Sequence, residues 1–387
     1  MTKFPLERFR DMSTPFYYYD IDLLQSTIDA VVRASSRRRD FVVHYAVKAN
    51  SNPQLLKIIA NAGLGVDCVS GGEIKAALEA GFAADSVMFA GVGKTDEEIK
   101  LALEKGVGMF NVESEAELDV IISIARESGN IAPVALRVNP NIDAHTHHFI
   151  TTGVEDNKFG IDFELLDPIV EKCLKNNDCI DLQGLHFHIG SQITIMRPYS
   201  LLVERINDIL KHFEGKDVAF RSINVGGGLG IDYEHPDEHP MPDFEAYFDV
   251  FDRGVPCING RKIHFELGRS IVGQCGSLIT RCLYVKQGIK KKFAIVDAGF
   301  NDLIRPALYQ AFHPIQNLTH RDCQNGTYEV VGPICESTDC FGENVTLPEV
   351  RRGDILAIRS AGAYGESMAS CYNSRRLPGA CMSNELT

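Results

Sequence analysis

No run of about 18 consecutive apolar residues occurs in the 387-residue chain, so nothing in it reads as a membrane span. Nor is there a basic stripe interleaved with aromatics, and a formal net charge of -13 disfavours non-specific attraction to nucleic acid. The eleven cysteines are odd in number and contain no CxxC pair, which argues against a zinc ribbon and a disulfide framework. Reduced, mostly buried thiols are expected. Residues 1–12 mix Lys3, Glu7, Arg8, Arg10 and Asp11, without the basic-then-apolar layout of a signal peptide, so the expected compartment is the cytoplasm. A GxSxG elbow, an HExxH helix, a fixed-period repeat and low-complexity tracts are all missing. The string Gly91-Val92-Gly93-Lys94-Thr95 lacks a P-loop, because Met88 stands where the first glycine is needed. What remains is an ordinary globular composition, 44% hydrophobic and 24% charged, suited to small-molecule chemistry.

The length predicts two domains, one of them large. Between about residues 40 and 270, short apolar or β-branched runs alternate with helix-period segments, the pattern of βα units in a parallel sheet. The runs are Phe41–Val47, Gly65–Val69, Ser86–Ala90, Met109–Val112, Val134–Val138, Leu182–Phe187, Ser222–Val225 and Lys262–Phe265. Amphipathic stretches such as Pro53–Ala62, Glu73–Ala80 and Ser114–Arg126 follow them. Eight such strands close into a (β/α)8 TIM barrel. After about Ser270 the pattern turns β-rich, as at Phe293–Asp297, Tyr328–Val331 and Ile355–Arg359. The opening Thr14–Asp20 reads as a strand able to join that later part. The predicted α/β architecture is a barrel over 25–270 with a discontinuous β-domain, sandwich- or barrel-like, from 1–24 and 271–387.

Functional residues of such a barrel belong where strands end and βα loops begin. Run one ends in Tyr45-Ala46-Val47-Lys48-Ala49-Asn50, placing a lysine where apolar surroundings favour a neutral, nucleophilic amine; a solvated side chain is the plainer alternative. Run six ends in His186-Phe187-His188-Ile189-Gly190-Ser191, where the two-residue period turns both histidines one way. Metal ligation, hydrogen-bonded core packing and a platform beneath a flat cofactor all fit them. Gly226-Gly227-Gly228-Leu229-Gly230 lets backbone N–H groups surround a phosphate, or simply makes a turn. Run eight ends in Glu266-Leu267-Gly268-Arg269, bringing a carboxylate to the same rim. The cluster His145, His147 and His148 reads as a polar surface loop, and 151–157 as a lid segment. A lysine for an aldehyde, glycines for a phosphate, a histidine for a ring and a glutamate for a ring nitrogen are together what pyridoxal phosphate needs.

These motifs, with Asn157-Lys158-Phe159-Gly160, Asp302–Tyr309, Gly332-Pro333-Ile334-Cys335-Glu336-Ser337 and Gly362-Ala363-Tyr364-Gly365, resemble the fold-type III pyridoxal-phosphate enzymes. Within them they are most similar to the diaminopimelate decarboxylase family, over nearly the whole chain. The resemblance implies a barrel like that of alanine racemase, pyridoxal 5'-phosphate as cofactor, and decarboxylation of meso-2,6-diaminopimelate to L-lysine and carbon dioxide. By the same resemblance Lys48 holds the aldehyde, His188 stacks on the ring and Glu266 pairs with the pyridine nitrogen. Gly226, Gly227, Gly228 and Gly268 take the phosphate; Ser191 joins the cofactor site, with Asp67 and Arg137 as supports. Arg269, Arg305, Tyr309, Glu336 and Tyr364 become substrate residues, Arg269 and Tyr364 also touching the cofactor, and Cys335 becomes the proton donor. Cys335 and Glu336 would enter from the partner subunit of a homodimer. An ornithine, lysine or carboxynorspermidine decarboxylase shares this chemistry, and a catalytically silent homologue is the reading from another class. Leu267, where the family usually has proline, and the short segment after Asn373 depart from the pattern.

Overall fold

A computed structural model describes residues 4–142, 158–256, 260–320 and 322–386. The expected histidine cluster at 145–148 and lid at 151–157 lie outside the described residues. Among those described, no helix is long and apolar enough to cross a membrane.

The strands are β1 (Phe16–Tyr19), β2 (Phe41–Ala46), β3 (Gly65–Cys68), β4 (Val87–Phe89), β5 (Met109–Val112), β6 (Ala132–Arg137), β7 (Ile180–His186), β8 (Ser222–Asn224) and β9 (Lys262–Leu267). Seven more follow: β10 (Gly276–Gln287), β11 (Lys292–Val296), β12 (Ile315–Asn317), β13 (Asn325–Val331), β14 (Cys340–Pro348), β15 (Ile355–Ile358) and β16 (Gly379–Met382). Strands β2 to β9 pair in parallel in sequence order and close, β2 onto β9, into the expected eight-stranded barrel. The intervening helices start and stop where local chemistry dictates. Asn52, Ser70, Thr95 and Ser114 each accept a backbone N–H of the first turn, with a full capping box between Thr95 and Glu98. Gly81, Gly106 and Gly129 end their helices in the left-handed region, where a Cβ would be strained. Outside the barrel wall, the helix Phe244–Gly254 lays Phe248 and Phe251 edge-on to Phe265, at ring separations of 4.8 Å and 5.3 Å. Lys94 of the set-aside string is structural: its fully buried ammonium donates to the Gly91 and Asn111 carbonyls and pairs with Glu117 at 2.6 Å.

The chain divides into two compact units, 28–230 with 243–268, and 1–27 with 231–242 and 269–387. The second is built on one mixed eight-stranded sheet, ordered β12-β15-β10-β11-β13-β14, with β1 on β10 and β16 on β1. A register shift between Cys282 and Tyr284 divides β10: its first half pairs with β1 and β15, its second with β11. The opening strand does join this later sheet, antiparallel to β10 and parallel to β16. Its Phe16 and Tyr18 pack with Phe9, Ile279, Leu318, Ile355 and Ala357 in the unit's core.

One stretch departs from the expected division. Residues 231–242, placed by the sequence pattern inside the barrel, belong to the second unit. Their composition accounts for it: Pro236, Pro240 and Pro242 deny the stretch a helix, and its polar groups find partners in the second unit. Asp237 pairs with the buried Arg359 at 3.1 Å, and Gln274 donates to the Asp232 carbonyl at 2.6 Å.

Candidate active site

Lys48 sits in a single 3-10 turn, Val47–Ala49, directly after β2. Its ammonium lies 3.4 Å from Asp67 on the neighbouring β3, and its side chain remains about a third exposed. Asp67 is completely buried, and its Oδ1 has no hydrogen-bond partner among the described residues. Two barrel strands therefore deliver an accessible amine beside a carboxyl group that water cannot solvate.

Glu266, near the end of β9, is the contrasting carboxylate. It is buried too, but Asn224 of β8 donates to Oε1 at 2.7 Å, Asn111 of β5 at 3.3 Å, and His186 of β7 approaches Oε2 at 3.3 Å. Burial by itself would raise its pKa; the charge and hydrogen bond of His186, with Lys48 behind, outweigh that and hold it well below the usual carboxylate range. Asp67 goes the other way. Burial first, and the Glu266 charge second, push it up to about 7 against the pull of Lys48. The buried carboxyl with three donors is thus pushed down and the one with a bare oxygen pushed up, each by its own surroundings.

His188 follows β7. The Gly227 N–H donates to its Nδ1 at 3.2 Å, which requires that nitrogen to be unprotonated. Burial, and then the charges of Arg137 and Lys48, depress its pKa well below the usual value, so the ring is a neutral imidazole. Arg137, ending β6, is buried and pairs with Glu113 at 2.6 Å while its guanidinium lies 4.7 Å over the Phe159 ring. Ser191 stands in the loop that leads to Ile193, which is zipped to Gly228 and Gly230 by backbone hydrogen bonds.

The glycine run follows β8, and at three positions nothing larger fits. A Cβ at Gly226 would strike the Phe187 carbonyl, one at Gly227 the Glu266 carbonyl, and one at Gly228 the Gly190 carbonyl. Gly226 and Gly228 also have positive φ, 71° and 98°. Two of the three N–H groups are already engaged, Gly226 with Asn224 Oδ1 at 2.9 Å and Gly227 with His188. Gly228 and Gly268 have no such engagement among the described residues. At Gly268 a Cβ would come within 2.9 Å of Ala49, next to the lysine.

Beneath these groups lies a histidine pair that sequence spacing did not single out. The Ser86 carbonyl can only accept, so His44 Nδ1 carries a proton, and His44 Nε2, 2.9 Å away, takes one from His264 Nδ1. Burial holds both rings neutral, His44 at about 4 and His264 at about 3. Asn111, Asn224 and Glu113 were missed as well. Asn224 had a signal, lying two residues before Gly226 and across from His264 in the register.

The remaining candidates lie in the second unit. Arg269 and Arg305 are both buried, and each brings Nη1 to the Tyr233 hydroxyl, at 2.6 Å and 2.8 Å. Arg305 also reaches His313 Nε2 at 2.9 Å, and Arg269 lies 4.9 Å over the Tyr364 ring. Tyr309 ends the short helix that Arg305 begins, and is partly buried. Cys335 and Glu336 are exposed in the turn between β13 and β14, with Glu336 accepting from Tyr372 at 2.5 Å. Among the described residues no side-chain hydrogen bond or ion pair joins them to the arginine cluster. The ten described cysteines are all unpaired.

Residues 24–273 match the pyridoxal-dependent decarboxylase family, pyridoxal binding domain. A diaminopimelate decarboxylase of Bacteroides thetaiotaomicron is 52% identical over 383 residues, covering 99% of each chain. One from Zymomonas mobilis is 41% identical over 366 residues, 94% of this chain and 86% of the relative. The solved structure of diaminopimelate decarboxylase from Helicobacter pylori complexed with L-lysine superposes with a TM-score of 0.92 at 39% identity, over 97% of this chain and 93% of that one. With its lysine, anionic glutamate and glycine run carried on a parallel barrel, the chain belongs to the pyridoxal-dependent decarboxylases, and among them to the diaminopimelate decarboxylase family.

Proposed function

We propose that this chain removes one carboxyl group from meso-2,6-diaminopimelate, giving L-lysine and carbon dioxide, with pyridoxal 5'-phosphate as its cofactor. The observation that carries the reading is Glu266, a buried carboxylate held as an anion by Asn111, Asn224 and His186 close to the only partly buried Lys48. The donor set fits the cofactor: a barrel-end amine, a neutral imidazole, a fixed negative charge and a glycine cradle that a Cβ would fill. Bound there, pyridoxal phosphate supplies an electron sink for the carbon that loses carbon dioxide.

The chain's own groups divide the remaining work. Lys48 is the amine that would hold the cofactor's aldehyde and give way to the substrate amine; Asp67, carrying a proton near neutrality, is placed to exchange it with that amine. Glu266 would hold a proton on the ring nitrogen, since a carboxylate this far below its usual range does not take that proton back. His188 would lie against the ring, with Ser191 and Arg137 supporting the same rim. Gly228 and Gly268 offer N–H groups to the phosphate, whereas Gly226 and Gly227 contribute by leaving space. Arg269 and Arg305 suit the second carboxylate of the substrate, with Tyr309 and Tyr364 beside them. Glu336 suits the distal ammonium. Cys335 would return a proton to the carbon, and its exposure accords with service to a partner subunit in a homodimer.

The test is carbon dioxide release from cofactor-loaded protein given meso-diaminopimelate, ornithine or lysine, with Lys48→Ala as the blank. Release from diaminopimelate that drops at least about a thousandfold in the variant is the expected result. Release from ornithine or lysine instead would preserve the chemistry and remove Arg305 from the substrate site.

A further inference from the structure

Tyr233 lies in the stretch 231–242, and nothing in the glycine run before it or the prolines after it marks it for function. In the second unit its hydroxyl oxygen takes one N–H from Arg269, at 2.6 Å, and one from Arg305, at 2.8 Å. A phenol oxygen has two lone pairs, and both are then occupied. Its own O–H is left to point elsewhere, and the described residues give it no acceptor.

The surroundings make this arrangement rigid. The Tyr233 ring packs edge-on against His313 at 5.2 Å. His313 is fully buried; its Nδ1–H donates to the Arg359 carbonyl at 2.9 Å, so its Nε2 lone pair must face Arg305. Arg359 in turn pairs with Asp237, four residues after Tyr233 on the same stretch. A closed circuit thus runs Tyr233–Arg305–His313–Arg359–Asp237 and back along the chain. Arg305 is buried among neutral partners, a hydroxyl and an imidazole, with no carboxylate within ion-pair distance among the described residues. A buried guanidinium left so is costly unless an anion completes it.

We propose that Tyr233 is a specificity-determining positioning residue: its hydroxyl fixes the two guanidiniums toward one point and adds its O–H as a further donor to the carboxylate received there. The assignment rests on the proposed substrate, whose non-reacting end carries that carboxylate and whose product, L-lysine, retains it. Cadaverine has the same chain length and ammonium groups but no carboxylate. Tyr233 therefore acts on discrimination between the two and not on the loss of carbon dioxide.

The experiment compares cofactor-loaded wild type with Tyr233→Phe, by steady-state turnover of meso-diaminopimelate and by calorimetric binding of L-lysine and of cadaverine. Loss of one charge-assisted hydrogen bond, and of the alignment it imposes, is expected to raise KM about tenfold while kcat changes less than about threefold. L-lysine binding should weaken by about the same factor, and cadaverine binding by less than about twofold. Equal weakening of both ligands, or an unchanged KM, overturns the proposal. A wild type that releases no carbon dioxide from diaminopimelate would instead overturn the assignment of substrate. Should the phenylalanine variant fail to fold, a fluorinated tyrosine at 233 whose hydroxyl ionises near neutral pH keeps the shape. Once that hydroxyl is ionised it has no proton to donate, so L-lysine must bind more weakly than to wild type while cadaverine does not, and equal L-lysine affinity would refute the role.

Discussion

Asp67 and Glu266 show how little of a carboxylate's behaviour is in its identity. Both are buried on barrel strands, yet one gathers three side-chain donors and the other a single contact at 3.4 Å. The stability consequence has a definite sign. Asp67 titrates at about 7 when folded and near 4 when unfolded, so between those values the unfolded chain releases a proton that the folded chain keeps. Stability is lost as pH rises through that window. In the cofactor-free protein, Asp67→Asn is expected to melt higher than wild type at pH 8, by about 2 °C or more, with the gap closing toward pH 5. A pH-independent gap, measured by calorimetry at both values, would place the proton on another group. Catalysis should suffer in the same variant, because asparagine cannot exchange a proton with Lys48.

The strand-to-loop junction after β8 is the element where space matters more than chemistry. Gly227→Ala would push a methyl group into the Glu266 carbonyl and, through it, shift the carboxylate that Asn224 and His186 hold. Weakening of pyridoxal phosphate binding by at least about tenfold, followed by the cofactor's visible absorbance, is the expected outcome; retention of wild-type affinity would mean the junction yields. Much of this element was readable beforehand. Alternating apolar runs gave all eight barrel strands their place, and the glycine run and Lys48 announced themselves by position at strand ends. Asn111 and Glu113 did not, and Asn224 only by its place before the glycine run, because their importance arises when closure of the barrel brings β5, β8 and β9 around one centre. Tyr233 was hidden for a different reason. A stretch rich in proline, aspartate and histidine reads as a surface connection, and only its partners in the second unit reveal what it holds.

For the whole molecule, the exposed turn carrying Cys335 and Glu336 bears on assembly. If those residues complete the site of a partner subunit, Lys48→Ala and Cys335→Ala each fail alone yet complement each other when coexpressed. A random dimer population then regains about a quarter of wild-type turnover, because half the dimers contain one intact site of two. No recovery, with both variants dimeric by sedimentation, would confine each site to one chain.

The pairing of β1 sets a timetable for synthesis. Phe16 to Tyr19 are made before every strand of the barrel, but their partners are Gly276 to Ile279 on one edge and Gly379 to Met382 on the other. At a translation rate of about 5–20 residues per second, the first of those edges arrives on the order of tens of seconds later and the second later still. Throughout that interval every strand of the barrel is made, while a short aromatic strand has neither of its neighbours. The barrel can thus be complete on the ribosome before the unit that opens the chain has begun to close.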